Sequence, residues 1–371
     1  MVNEERLLNE FFELVQIDSE SKFERHIADN IKLKLKKLGF EVFEDDTTVT
    51  TGHNAGNVIG YLKGSVQGAK TVLLNCHMDT VAPGIGVKPS VKDGYVVSDG
   101  TTILGADDKA GIAALLESIR VLKENNLPHG DIQVVITVGE EVDLVGAKAL
   151  DPNLLKADFG YALDTGGLVG NIKSSAPARG VITANIYGKS AHAGVAPEKG
   201  VSAVTIAAKA IANMSLGRID SETTANISIF EAQAPLNVVC DYVRVCGEAR
   251  SFENEKLGAQ LLAMKQEFEN VVKEMGGKAD IDIEISFAGF KLAAGQPVVD
   301  VAKRAASKIG RPCELFAAGG GSDANIFNGY GLPMVVLACG YEDIHTKNER
   351  IAVEELNKLV EMVLAILAEV V

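Results

Sequence analysis

The sequence predicts an α/β fold: a mixed sheet sandwiched by helices, interrupted by an inserted ferredoxin-like α+β domain. Three observations predict it. Short apolar runs rich in β-branched residues alternate with amphipathic helical segments, the pattern of a sheet that is mixed or mostly parallel. Between residue 178 and about residue 290 the order changes to β-α-β-β-α-β, the split βαβ arrangement of a complete small domain. The 371 residues also exceed the usual size of a single core. Two domains follow, one from residues 1–177 with 291–371, the other from residues 178–290 inserted between them.

Each element has its own signal. Leu7, Phe11 and Leu14 share one face of an N-terminal helix. A second helix over 24–38 ends at Gly39, which can adopt the left-handed conformation of a C-terminal cap. Strands are expected at 41–43, 57–62 and 71–75. After a loop rich in Gly and Pro, Ile112, Leu115, Leu116, Ile119 and Leu122 trace one helical face within 105–124. Residues 131–138, 159–163 and 333–338 are apolar runs of the buried-strand type. In the insert, 181–187, 226–230, 242–250 and 281–287 read as strands, and 201–214 and 253–275 as helices. The last stretch, 359–371, is apolar but contains Glu361 and Glu369. It is too short and too interrupted to span a bilayer, and reads as a buried amphipathic helix.

Composition excludes some function classes. A formal net charge of −14 argues against nucleic-acid binding, which needs a basic footprint to neutralise phosphates. No phosphate loop of the full G-x-x-x-x-G-K-S/T type occurs, so a kinase or nucleotide enzyme is not expected. No membrane partner is expected either, and residues 1–13 lack the apolar stretch of a signal peptide. Five cysteines, an odd number without a C-x-x-C pair, read as free thiols in a reducing compartment, hence the cytoplasm.

The chemistry lies at the ends of the strands. Four apolar runs each lead into a potential metal ligand: 71–75 into His77 and Asp79, 131–138 into Glu140 and Glu141, 159–163 into Asp164, and 333–338, after a short interval, into His345. In open α/β sheets, sites form beyond the carboxyl ends of the strands, so residues far apart in sequence can converge there. A carboxylate pair, Asp107-Asp108, sits just before a helix, where the helix N-terminus stabilises negative charge and one carboxylate can bridge two cations. Each signal alone is weak; a Glu-Glu pair is most often a solvated face. Their coincidence in one architecture gives the signal its force. Two histidines with three carboxylates suit zinc, and also cobalt or manganese. A pair of such ions polarises a carbonyl and generates a nucleophile from water at neutral pH. Glu140, next to Glu141, is then the candidate general base. Asp79 is placed to hydrogen-bond the His77 imidazole and raise its basicity.

The segments His77-Met78-Asp79-Thr80-Val81, Gly105-Ala106-Asp107-Asp108-Lys109-Ala110-Gly111 and Gly139-Glu140-Glu141, followed by Asp164 and His345, resemble the dizinc aminoacylase and carboxypeptidase G superfamily, and within it the peptidase T-like branch. The resemblance spans essentially the whole chain. It implies a zinc exopeptidase-like catalytic domain with an inserted lid domain. It further implies that Asp107 bridges two divalent ions, with His77 and Asp164 holding one and Glu141 and His345 the other. A cis peptide between Asp107 and Asp108 is also implied. Gly188-Lys189-Ser190-Ala191-His192-Ala193-Gly194 resembles the lid motif whose histidine, here His192, stabilises the developing oxyanion. Gly247-Glu248-Ala249-Arg250-Ser251 resembles the strand whose arginine, here Arg250, binds a substrate carboxylate with its planar fork. Asn237 is implied to assist it. The loop Gly319-Gly320-Gly321-Ser322-Asp323 is implied to contact substrate, through Gly320 and Ser322. The usual tripeptidase pattern carries an arginine just before the Gly-Gly-Ser-Asp motif, where this chain has Gly319, so a strict tripeptide specificity is not implied.

The expected activity is metal-dependent hydrolysis of the amide bond of short peptides, as a di- or tripeptide aminopeptidase. A small peptide is the expected partner, and the superfamily allows a homodimer through the lid domain. An N-acyl amino acid deacylase or a carboxypeptidase of the same superfamily is the nearest alternative. A non-catalytic binding protein retaining the fold is more remote, because the ligand set and the base are all present.

Overall fold

Four runs dominated by Val, Ile, Leu and other apolar residues form the middle of the large sheet. In spatial order they are Ile132–Thr137, Val72–His77, Phe159–Thr165 and Met334–Ala338, each parallel to the next. Ile132–Thr137, Val72–His77 and Met334–Ala338 are buried at every position, as in strands covered on both faces. The sheet is mixed because its flanks run the other way. Val58–Leu62 pairs antiparallel with Ile132–Thr137, and Glu41–Glu44 antiparallel with Val58–Leu62. On the far side Ile172–Ala176 pairs antiparallel with Met334–Ala338 and parallel with Leu315–Ala317. The structure, a computed structural model, describes residues 2–371.

Helices Glu4–Val15, Ala106–Glu124, Val353–Glu369 and Pro297–Lys308 pack in series, and Ala106–Glu124 and Pro297–Lys308 lie against this sheet. A second group of short helices, Thr48–Thr51, Val145–Ala149 and Asp323–Gly329, packs together and meets Met334–Ala338 and Phe159–Thr165. Leu7, Phe11 and Leu14 are buried together on their helix, as their spacing requires. Leu356, Leu359, Val360, Val363, Ile366 and Leu367 do the same for the C-terminal helix, which begins six residues before the apolar stretch that announced it. No helix among the described residues is long and apolar enough to cross a membrane.

The chain divides into two compact units. One comprises Met1–Ser175, Leu292–Ala317 and Ser322–Val371; the other comprises Ala176–Lys291 with Ala318–Gly321. The second unit has its own antiparallel sheet in the order Gly217–Arg218, Thr223–Ala232, Tyr242–Ser251, Ala178–Tyr187, Lys278–Phe287. Helices Ala203–Asn213 and Asn254–Met275 cover it, and Ile182, Ile186, Val243, Val245, Leu261, Met264 and Phe268 form its core. The ten-residue strand Ala178–Tyr187 alternates buried and half-buried positions, so only one face of this sheet is fully covered. The connection and strand order are those of a ferredoxin-like fold.

Candidate metal centre

The four parallel strands end at one rim of the large sheet, and the ligand candidates lie just beyond it. His77 is the last residue of its strand and is almost fully buried. Asp164 is the sixth residue of Phe159–Thr165. Glu141 follows Ile132–Thr137 through a tight turn at Gly139, whose φ is +58°. A side chain at Gly139 would collide with His53, whose ring atom Cε1 lies 2.5 Å from the position its Cβ would take. Asp107 lies where Gly105, at φ +76°, turns the chain toward helix Ala106–Glu124. Asp107 and Asp108 are themselves non-helical, and the peptide bond between them is cis. The Asp108 carboxylate accepts from the Gly111 N–H at 3.2 Å and so caps the regular part of the helix. His345 sits in the loop after Met334–Ala338, with φ +61° and its side chain about half exposed.

These five residues meet around Asp107. Its Oδ1 lies 3.1 Å from His77 Nε2, which is itself 3.7 Å from Asp164 Oδ1. Its Oδ2 lies 3.5 Å from His345 Nε2, which is 2.9 Å from Glu141 Oε1. Asp107 thus offers one oxygen to each of two histidine–carboxylate pairs. Donor atoms sharing one tetrahedral zinc at about 2.0–2.2 Å lie about 3.3–3.6 Å apart. The donor set therefore fits two small divalent cations by chemical type, and its atoms, 2.9 to 3.7 Å apart, lie within a few tenths of an ångström of that spacing. Among the described residues, ligand atoms of His77, Asp107 and Glu141 lie within 4.8 Å of one another.

Electrostatics point the same way. Burial pushes the Glu140, Asp164 and Asp108 carboxyls well above the ordinary range, and the charge of Asp164 adds to the shift of Glu140. Burial, opposed by a hydrogen bond from Thr137, raises Asp323 to about 6. For Asp107, burial is outweighed by hydrogen bonds with His345 and His77, and the carboxyl is held below the ordinary range. Hydrogen bonds to Asp107 and Glu141 raise His345 to about 10. Burial would lower His77, but its hydrogen bonds to Asp107 and Asp79 win and raise it well above the usual value. The buried cluster holds more carboxyls than its two imidazoles can balance, and bound divalent cations would balance them.

The surrounding residues fix the candidate ligands. The His77 Nδ1 edge faces the backbone carbonyl of Asp79 at 3.0 Å, with the Asp79 carboxylate at 3.5 Å. That carboxylate accepts from the N–H groups of Glu140 and Glu141, at 3.0 and 3.3 Å, and from the Ser21 hydroxyl at 2.7 Å. Asp79 therefore holds the Glu140-Glu141 turn as well as orienting the imidazole, a role that its spacing from His77 did not reveal. Sequence reasoning also missed Tyr341 and Glu349. The buried Tyr341 hydroxyl donates to Asp107 Oδ1 at 3.2 Å. The Glu349 carboxylate, equally buried, accepts from the N–H groups of Leu104, Gly105 and Asp107 at 2.9, 2.8 and 3.0 Å. Tyr341 follows Met334–Ala338 directly, so the strand-end rule that found His345 could have found it.

The remaining predicted residues fall into two groups. In the inserted unit His192 and Asn237 are exposed on neighbouring loops joined by the Ala193 N–H to Asn237 carbonyl bond at 2.9 Å. Arg250, on strand Tyr242–Ser251, donates to the Gly319 carbonyl at 3.0 Å, next to the exposed Gly320. Ser322 is fully buried and begins helix Asp323–Gly329, its N–H donating to Asn325 Oδ1 at 3.1 Å. All five cysteines are free thiols.

Residues 73–369 match the family Peptidase family M20/M25/M40. The chain is 60% identical to the aminopeptidase PepT from Bacillus cereus, whose crystal structure superposes with a TM-score of 0.93 and covers 100% of this chain and 99% of that one. A tripeptidase from Staphylococcus aureus is 48% identical, with a TM-score of 0.95 over 100% of this chain and 99% of its own. The uncharacterized protein YqjE of Bacillus subtilis is 58% identical over 369 residues, which is 100% of this chain and 99% of its length.

Proposed function

The chain belongs to peptidase family M20/M25/M40 and is a peptidase, and from that premise we propose that it is a dinuclear metallo-exopeptidase that removes N-terminal residues from di- and tripeptides. His77 and Asp164 would hold one divalent cation, Glu141 and His345 the second, and Asp107 both. Zinc suits this donor set best, with cobalt and manganese as alternatives. Bound there, the cations would supply Lewis acidity toward the scissile carbonyl and make water nucleophilic at neutral pH. Glu140 takes the proton of the attacking water and hands it to the leaving amine. Its backbone is fixed by Asp79, so the base and its neighbour Glu141 move as one rigid turn. Within the inserted unit, His192 would donate to the developing oxyanion, and Arg250 with Asn237 and the Gly320 backbone would bind the far end of the peptide. The names of the aminopeptidase and tripeptidase relatives support the substrate class. Free thiols suit a cytoplasmic peptidase.

One observation carries this reading: the two oxygens of Asp107 face two separate histidine–carboxylate pairs. The test is a panel of dipeptides, tripeptides, N-blocked peptides and N-acyl amino acids, run before and after chelation. The expected result is cleavage of free-amine peptides that stops on chelation and returns with zinc or cobalt. Preferred cleavage of N-acyl amino acids would make the protein a deacylase instead. Release of C-terminal residues from N-blocked peptides would make it a carboxypeptidase. Turnover untouched by chelation would remove the metal from the mechanism.

A further inference from the structure

Within the inserted unit, Arg179 and Arg250 stand directly opposite each other on adjacent antiparallel strands. Like charges in that position repel. Glu248, two residues before Arg250 and on the same face, ties them together. Arg179 Nε donates to Glu248 Oε2 at 2.6 Å, while Arg250 donates from Nε to Oε1 at 2.9 Å and from Nη2 to Oε2 at 3.4 Å. Arg250 is anchored a second time, through Nη1, by the Gly319 carbonyl. The triad places two guanidiniums against one carboxylate. Its arginine side chains are 25% and 29% exposed, so solvent and ligands reach them. A partly buried Arg-Glu-Arg triad is a poor way to stabilise a sheet, because apolar residues of similar volume often do as well or better. It is a good way to hold two planar donors rigid before an anion arrives, which lowers the ordering cost of binding.

We propose that Arg179 is a second substrate-binding arginine: with Arg250 it forms a two-fork clamp for the free C-terminal carboxylate of the peptide, and Glu248 is the brace that sets the spacing of the forks. This rests on the peptidase reading above. The clamp makes the enzyme discriminate between a peptide acid and its uncharged C-terminal amide, and Arg179 carries part of that discrimination.

The experiment compares wild type, Arg179→Met and Arg179→Lys on one tripeptide and on the same tripeptide as its C-terminal amide. Wild type should favour the acid. Arg179→Met should raise KM for the acid about tenfold to a hundredfold, with kcat nearly unchanged and the amide scarcely affected. Arg179→Lys should recover only part of the loss, because it restores the charge without the fork. Thermal melting of each variant, followed by circular dichroism, reports the fold separately. An equal loss on acid and amide would mark Arg179 as a structural ion-pair residue and overturn the clamp, as would a variant with unchanged KM for the acid. A wild type that cleaves neither peptide would overturn the peptidase reading, and the clamp with it. A wild type that cleaves both equally well would overturn the clamp alone.

Discussion

Glu349→Gln is the most informative single change to the centre. Glu349 touches neither histidine, yet its carboxylate gathers three backbone N–H groups from the segment that carries Asp107. It lies four residues after His345, so it ties the loop of one candidate ligand to the turn of another. A glutamine has the same shape. With its carbonyl kept on Leu104 and Gly105, its NH2 group faces the N–H of Asp107, and a charge-assisted bond becomes a donor–donor contact. That substitution should cost about 2–4 kcal/mol locally. The turn relaxes, and the two oxygens of Asp107 no longer hold their positions between the imidazoles. Loss of an orienting partner of this kind weakens metal affinity by about tenfold to a hundredfold. The assay titrates metal-free protein with zinc against a competing chelator, alongside chemical denaturation. The expected result is weaker binding of both ions, since both would share Asp107. If Glu349→Gln bound two ions as tightly as wild type, the bond between these loops would not position the ligands, and the reasoning would be refuted.

Other consequences follow from the same geometry. Glu140→Gln should lower kcat about a hundredfold to ten-thousandfold while leaving metal content unchanged by elemental analysis; near-normal turnover would remove Glu140 from proton transfer. Tyr341→Phe removes a donor to Asp107 and should weaken zinc affinity less than Glu349→Gln in the same titration, because one neutral hydrogen bond is lost rather than a charge-assisted one. At the end of the edge strand Glu41–Glu44, partial burial works against the Glu44 charge, but Arg25, the Gly56 N–H and Lys32 outweigh it and hold the carboxyl at about 2. A depressed carboxyl contributes stability that is complete above its unfolded value of 4.5 and fades as pH falls from there toward about 2. Glu44→Gln should therefore cost stability at neutral pH and lose less than wild type on acidification over that window, read by denaturation at a series of pH values.

Much of this architecture was legible because burial leaves a compositional mark. The runs at 72–77, 132–137 and 334–338 are apolar on both faces, since both faces are covered, and such runs read as strands at once. The candidate ligands were placed by the same mark: a polar residue ending an apolar run stands at a strand end. Where that mark is missing, the sequence was silent. Ile172–Ala176 is fully buried yet carries Lys173, Ser174 and Ser175, and it is not among the expected strands. The small sheet of Ser90–Lys92, Tyr95–Val97, Tyr341–Glu342 and Arg350–Ala352 is built from strands of two or three residues, too short to show a period. Helix Pro297–Lys308 begins at a proline and was not singled out, although Val298, Val301, Ala302 and Ala305 are buried along it. Glu349 was hidden for a different reason. Its partners lie 242 to 245 residues earlier in the chain, and they are backbone N–H groups, which leave no trace in side-chain identity.

Crystals grown with zinc and measured at its absorption edge would look for the ions themselves. Two anomalous peaks are expected per chain, one within about 2.0–2.2 Å of His77 and Asp164, the other equally close to Glu141 and His345, with Asp107 reaching both. A single peak, or a pair in which Asp107 ligates only one ion, would contradict the shared-carboxylate centre from which the proposed chemistry is built.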